Sequence, residues 1–306
     1  KNMITAEERE GGGGGGEHGN FRVKGVTDEG VIEPVTMADT RANLILVNGH
    51  RNRFPGVSIM SEESRPPTTK NALRRGELVG LPVELTDDPV YPLKDLTVII
   101  DPLDATKEYT EDLLPFVTTQ QCIVFKGRPV AGIIHQPFVQ RGPTMASVPT
   151  GQVFGGVDPA MGGAPSASEA KKTITFSRSH AGTAQGIISS RFGENFKSLQ
   201  AGGAGYKALL VTAGQVDAYL HVTKSKVWDT CAGDAMIHAI GGKLTDTTGQ
   251  TLKYNPKTPV LTLGFIGAGT RASHDYYIKR LIADPIPKVQ GSSSDRPPES
   301  SLEQTR

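Results

Sequence analysis

Between about residues 21 and 284 apolar positions recur at spacings that define elements, and outside that body they do not. In "VTMADTRANLILVNGHR" Ala42, Leu46 and His50 share one helical face, Leu44, Ile45 and Val47 add apolar surface, and the helix begins near Asp39. "GVSIMSEES" predicts a short strand ending in Glu62 and Glu63, and "LTVII" a buried strand made of β-branched residues. "QCIVFKGRPVAGIIHQP" predicts two strands joined by Lys126-Gly127-Arg128-Pro129 as a hairpin. The stretch 64 to 94 carries five prolines and reads as loop with at most one helical turn.

The second half changes rhythm. "KTITFSRSH" is a strand, "GYKALLVTAGQ" a helix and "VDAYLHVT" a strand. "WDTCAGDAMIHAIGGKLTD" places Ala232, Ala235, Met236, Ala239 and Ile240 at helical spacing and stops at Gly241-Gly242. "PVLTLGFIGAG" predicts one more strand and "SHDYYIKRLI" a closing helix. The fold class is therefore α+β on an antiparallel sheet followed by alternating α/β. The expected organisation is a flexible glycine-rich segment (1–20), an N-terminal α+β domain (21–160), a C-terminal α/β domain (161–284) and a Pro/Ser-rich disordered tail (285–306). A Gly/Pro/Ser-rich link over 156 to 169 separates the two domains.

Composition narrows the chemistry by exclusion. With 33 Lys plus Arg against 32 Asp plus Glu, no basic excess argues for nucleic acid or anionic lipid, so any anion site is local. The two cysteines, Cys122 and Cys231, are far apart and form no CxxC pattern. That rules out a disulfide framework and argues against cysteine-bound zinc; Cys231 reads as a small buried residue. No run of about 18 apolar residues is present to span a bilayer.

Carboxylates follow strands or begin helices at Asp39, at Glu62 with Glu63, at Asp101 with Asp104, and at Asp229. Taken singly, Asp39 and Asp229 are helix caps, "SEES" an exposed turn and "DPLDAT" a polar loop. Together they supply the hard oxygen ligands that Mg²⁺ takes while keeping waters and phosphate oxygens. Asp101 and Asp104, with Pro-Leu between, can aim two carboxylates and the Leu103 carbonyl into one small volume. Thr106 then opens the short helix "TKEYTEDLL", whose first N–H groups can face an anion. "AGGAGYK" before a helix suggests backbone N–H groups and the Lys207 charge around an anion, or else a glycine-rich turn with a solvated lysine. Trp228 reads as core.

The stretches "EES", "DPLDATKEYT" and "WDTCAGDAMIHAIGGKLTD" resemble the signature motifs of the inositol monophosphatase superfamily of Mg²⁺-dependent, lithium-sensitive phosphatases. "SRSH" and "AGGAGYK" resemble the nucleotide-contacting segments of its 3′(2′),5′-bisphosphate nucleotidase branch. Ala105 and Tyr206 are similar to the Golgi-resident type, where the cytosolic type has glycine and asparagine. The resemblance implies a layered α-β-α-β-α sandwich and hydrolysis of 3′-phosphoadenosine 5′-phosphate (PAP) to AMP and phosphate, supporting sulfation metabolism. It implies metal ligation of two or three Mg²⁺ ions by Glu62, Asp101, Leu103, Asp104 and Asp229, with Glu63 a supporting or alternate residue. Asp39 with Thr106 would orient and deprotonate the attacking water, and Ser177, His180, Gly203, Lys207 and Asp229 would contact the nucleotide. Ala181 stands where relatives often carry serine, which puts one nucleotide hydrogen bond in question.

Relatives begin with a long helix where this chain is glycine-rich, so an apolar face of the first domain is expected to be bare. The Golgi type's membrane anchor is not in this chain. The implied partners are a small nucleotide and a second copy in a homodimer, with no nucleic acid. The implied compartment is the Golgi lumen, with the cytoplasm as alternative. Competing readings are an inositol phosphate phosphatase and a ligand-binding homologue without turnover.

Overall fold

The computed structural model describes residues 21–28, 30–63, 89–156, 172–193 and 195–286. The expectations for the glycine-rich start, most of the 64–94 stretch, nearly all of the 156–169 link and the tail past 286 lie outside these residues.

An antiparallel hairpin of β1 (Arg22–Val26) and β2 (Ile32–Val35) leads into helix α1 (Met37–Arg53). The helix starts two residues before Asp39 because Thr36 caps it. Thr36 Oγ1 accepts from the N–H groups of Ala38 and Asp39, and Asp39 Oδ2 accepts from Thr36 N–H in return. Then follow β3 (Ser58–Ser61), β4 (Leu96–Asp104), the single-turn helix α2 (Thr106–Thr110), β5 (Thr118–Phe125), β6 (Arg128–His135), β7 (Thr144–Ser147) and β8 (Gln152–Gly155). They build a six-stranded sheet in that order, antiparallel except where β3 runs parallel to β4. The β5–β6 hairpin turns on Lys126 and Gly127 alone, both at positive φ (48° and 81°), so Arg128 and Pro129 belong to β6.

The second half runs β9 (Lys172–Ser177), α3 (Ala184–Phe192), β10 (Phe196–Ala201), α4 (Ala204–Thr212), β11 (Ala218–His221), β12 (Ser225–Lys226), α5 (Val227–Ala239), β13 (Lys243–Asp246), β14 (Val260–Leu261), β15 (Phe265–Ala268) and α6 (Arg271–Ala283). A mixed five-stranded sheet takes the order β10-β9-β11-β15-β13. The single strand expected over "PVLTLGFIGAG" is two, because β14 pairs with β12 while β15 pairs with β11 and β13. The chain breaks between them at Gly264, where a Cβ would lie 2.3 Å from the His221 carbonyl oxygen.

Helix α1 covers one face of the first sheet through Leu46, Val47, Val98 and Ile100. Helices α4 and α5 fill the space between the sheets, and α3 and α6 cover the far side of the second through Ile188, Phe192, Tyr277 and Leu281. The layers are α-β-α-β-α, as expected. The central strands are covered on both faces, which is why "VII" in β4 is wholly buried and does not alternate. One core runs from Ile99, Cys122 and Ile134 through Leu209, Ala232 and Met236 to Phe265, so both halves share it. Helix α5 approaches β6 closely at Gly132, where a Cβ would lie 2.8 Å from Ala235 Cβ.

Beside that contact Cys122 on β5 is disulfide-bonded to Cys231 on α5. This corrects the reading of Cys231 as a small buried residue and nothing more. The two cysteines are 109 positions apart, so no local spacing signals the bond, and only the packing of α5 on the first sheet brings them together.

Candidate active site

The C-terminal end of β4, the start of α5 and the turn before α4 meet at a cavity of about 340 Å³. β4 delivers its two aspartates there by a bulge. Asp101 pairs with Gln120 and Asp104 with Thr118, so β4 advances three residues where β5 advances two. The pleat alone would send Asp101 and Asp104 to opposite faces; the additional residue turns both into the cavity. The chain then bends through Ala105 at φ 70°, the left-handed region, and enters α2.

Asp104 is held by three donors: Thr118 Oγ1 at 2.9 Å, Ala204 N–H at 3.1 Å and Gly205 N–H at 2.7 Å. The anion that meets the glycine-rich turn and the N-terminus of α4 is therefore Asp104's own carboxylate. Glycine at 203 and 205 is required for this approach. A Cβ at Gly203 would lie 2.5 Å from Phe116 O, and one at Gly205 would lie 2.4 Å from Thr118 Oγ1.

Asp39 does two jobs with two oxygens. Oδ2 caps α1, and Oδ1 accepts from the Thr106 hydroxyl at 3.1 Å. That hydroxyl also lies 3.0 Å from the Leu103 carbonyl oxygen. Burial pushes the Asp39 carboxyl up to about 7 against the two hydrogen bonds from Thr36, with Glu62 and Glu63 adding to the rise. Asp229 repeats the pattern on α5: Oδ2 accepts from Lys226 N–H (2.8 Å) and Ser225 Oγ (3.0 Å), and burial with Glu62 raises its pKa to about 7. For both residues the cap reading holds, and the same carboxyl also stands at the candidate site.

Glu62 follows β3, its N–H bonded to the Ile100 carbonyl. Lys24 from β1 reaches over to Glu62 (2.9 Å) and Glu63 (2.7 Å). Burial pulls the Lys24 ammonium down, but these two carboxylates outweigh it and hold it above its ordinary value.

Across the cavity stand Ser177, Ser179 and His180, from the turn after β9, and Gly203. Ser177 Oγ accepts from His180 N–H, closing that turn. Lys207 is 2% exposed; its ammonium donates to the carbonyls of Ala201 (3.2 Å) and Gly203 and lies over the Tyr219 ring. It therefore braces the glycine-rich turn from beneath, and burial lowers its pKa to about 8. Trp228 lines the cavity as well as packing against the core.

Among the described residues no three acidic, histidine or cysteine groups close around one point. Each carboxylate leans on its own donor: Glu62 on Lys24, Asp104 on the α4 turn, Asp229 on its cap. The donor set nevertheless suits a hard divalent cation. Asp101, 2% exposed, is pushed well above its ordinary pKa by burial and then by Glu62, Asp104 and Asp229. A concentration of buried like charges of this kind is relieved by a cation with oxygen ligands.

The structure thus brings the sequence-predicted metal and substrate residues and Thr106 to one cavity, while Asp39 lies behind Thr106 and is bonded to its hydroxyl. Sequence reading missed the holders of Asp104, the Lys24 link, and Glu108 with Ser179, which also line the cavity. "SRSH" and "KEYTE" contained the last two, but their contact lies 71 positions apart in sequence.

Comparisons agree with this architecture. The model of the inositol monophosphatase family matches residues 15–283. The chain is 40% identical over 263 residues to a putative inositol monophosphatase 3 of Drosophila melanogaster, covering 85% of this chain and 72% of that one. It is 34% identical over 266 residues to the Golgi-resident adenosine 3′,5′-bisphosphate 3′-phosphatase of Mus musculus, covering 84% and 72%. Among solved structures, an IMPase/NADP phosphatase complexed with Mg²⁺ and phosphate shares the fold at a TM-score of 0.62 and 17% identity, covering 87% of each chain.

Proposed function

The chain belongs to the inositol monophosphatase family, and from that membership we propose that it is a Mg²⁺-dependent phosphomonoesterase removing the 3′-phosphate of PAP to give AMP. The observation that carries the nucleotide reading is the wall of Ser177, Ser179, His180 and Gly203 facing the carboxylates across one cavity. An inositol ring fills less of such a site than a nucleotide does.

Glu62, Asp101, Asp104, Asp229 and the Leu103 carbonyl are the residues that would hold the metal. Bound there, Mg²⁺ supplies neutralisation of the phosphate and acidification of the attacking water. The chain's own part is proton handling and placement. Water donates to Thr106 Oγ1, whose proton passes to Asp39 Oδ1. A carboxyl with a pKa about 7 accepts that proton near neutrality without holding it tightly. Gly203 lets the turn close on Asp104, Lys207 braces that turn from beneath, and Ser177 and His180 contact the nucleoside.

Disulfides persist in oxidising compartments, so the Cys122–Cys231 bond supports a luminal setting such as the Golgi over the cytoplasm. No helix among the described residues is long and apolar enough to cross a membrane. Relatives named inositol monophosphatase 3 favour a second reading, an inositol phosphate phosphatase. Phosphate release from PAP and from inositol 1-phosphate, with Mg²⁺ and with added lithium, separates the two. Turnover of the inositol ester alone would overturn the nucleotide reading.

A further inference from the structure

We infer that Glu108 is a positioning residue: it locks the Ser177–His180 turn to the helix that carries Thr106 and so sets substrate affinity rather than the chemical step. The inference rests on the function proposed above and deepens it.

Glu108 lies one position beyond Lys107 on the same single-turn helix as Thr106, and it is 1% exposed. Its Oε1 accepts from Ser179 Oγ at 3.1 Å and from Arg178 Nη1 at 3.4 Å. The other arm of Arg178, Nη2, pairs with Glu111 at 2.5 Å. Glu108 also backs the second substrate wall. A Cβ on Gly202 would sit 2.6 Å from Glu108 Cγ and 2.9 Å from Oε1, so the carboxylate packs directly against the turn leading to Gly203.

The sheet explains why such an anchor is needed. β9 and β10 run parallel and in register to Ser177 and Ala201, where their ladder ends. Beyond that point the backbone keeps one bond between them, Arg178 N–H to Ala201 O, and both strands turn away toward the cavity. Both turns then meet the Glu108 side chain. A buried carboxylate close to an incoming dianion is unfavourable unless a cation answers it, and Arg178 does so from the turn that Glu108 holds. The catalytic threonine and the nucleotide wall are therefore fixed to each other through one side chain. The acid and the threonine are two positions apart, so α2 transmits little slack.

The test is steady-state kinetics with Mg²⁺ on wild type, Glu108→Ala, Glu108→Gln, Ser179→Ala and the Glu108→Ala/Ser179→Ala pair, each with PAP and inositol 1-phosphate. Loss of a hydrogen bond to a charged group predicts a KM for PAP raised about tenfold in Glu108→Ala. kcat should stay within about twofold, and the KM for inositol 1-phosphate should hardly move. Ser179→Ala should reproduce much of the rise, and the double variant should add little to either single one. Glu108→Gln should be intermediate, because its amide oxygen still accepts from Ser179. A kcat loss at unchanged KM, an equal KM rise for both substrates, or additive single effects would each overturn the inference. If Glu108→Ala does not fold, Ser179→Ala decides from the other side of the bond.

AMP affinity of the same proteins, read from ligand-dependent melting, needs no turnover and should weaken in step with KM. Wild type that hydrolyses only the inositol ester removes the nucleotide reading. The KM-against-kcat split on that ester then decides Glu108 by itself: a KM effect keeps its positioning role, and a kcat effect or none ends it.

Discussion

Helix α5 carries two buried aspartates with opposite fates. Asp234, fully buried, has its charge answered inside the fold by Arg128 Nη1 at 3.3 Å and His238 Nδ1 at 2.6 Å. The hydrogen bond to Asp234 outweighs burial at His238 and raises its pKa. Asp229, one turn nearer the N-terminus, faces Glu62 and Asp104, and its carboxyl is pushed up instead. Same residue type, same helix: the first aspartate is a structural tie, while the second is left among like charges. Asp234 sits between two cationic groups, whereas Asp229, capped at Oδ2 but set among like charges, is the carboxylate that the proposed function gives to a cation.

The sharpest way to break this contrast is to neutralise each aspartate in turn. Asp229→Asn should lower activity by more than about a hundredfold, while the metal-free protein melts no lower than wild type because a buried charge among like charges has gone and the amide oxygen can still cap the helix. Asp234→Asn should do the reverse, costing about 3 kcal/mol or more of stability and leaving kcat of the folded fraction nearly unchanged. Melting curves and kinetics on both proteins decide it; a stability loss at Asp229 equal to that at Asp234 would erase the distinction.

The disulfide ties the half of α5 that bears Asp229 to β5. Opening a loop of this length is expected to cost up to about 5 kcal/mol, readable as a lowered midpoint in urea under reducing conditions or in Cys122→Ala/Cys231→Ala. An unchanged midpoint would mean that the packing at Gly132 holds α5 unaided.

The uncompensated side also sets a pH dependence. Asp39 and Asp229 ionise about pH 7 in the fold, against an ordinary value of 3.8. Between these values the metal-free native state binds more protons than the unfolded chain, so its stability falls as pH rises through that window. On the proposed function Mg²⁺ would take Asp229 ionised and remove its share of the penalty. The rise in melting temperature on adding Mg²⁺ should therefore be larger at pH 8 than at pH 5. Equal rises at both would separate these carboxylates from the cation.

The smallest effect concerns Ala105. At φ 70° it sits where a Cβ is unfavourable, so Ala105→Gly should relieve about 1 kcal/mol of local strain. The gain in a denaturation midpoint is partly offset by the greater freedom of glycine in the unfolded chain. A loss of stability would show that the Ala105 methyl makes a packing contact that outweighs its backbone strain.

Much of this was legible in the chain itself. The apolar periods located the helices α1, α4, α5 and α6 and the strands β4, β5 and β6, because burial imposes those periods whatever the neighbours are. The carboxylate motifs singled out Asp39, Glu62, Asp101, Asp104 and Asp229, because their chemistry is carried by residue type. Three things were decided only by the tertiary structure. The bulge between Asp101 and Asp104 depends on pairing with β5, which no local pattern encodes. The backbone donors that hold Asp104 and the acceptor that holds Ser179 come from segments 71 to 101 positions away. The Cys122–Cys231 bond spans the two halves of the molecule. Local sequence fixes which backbone and charge each segment brings; which charges are answered, and which are left for a ligand, follows from long-range packing alone.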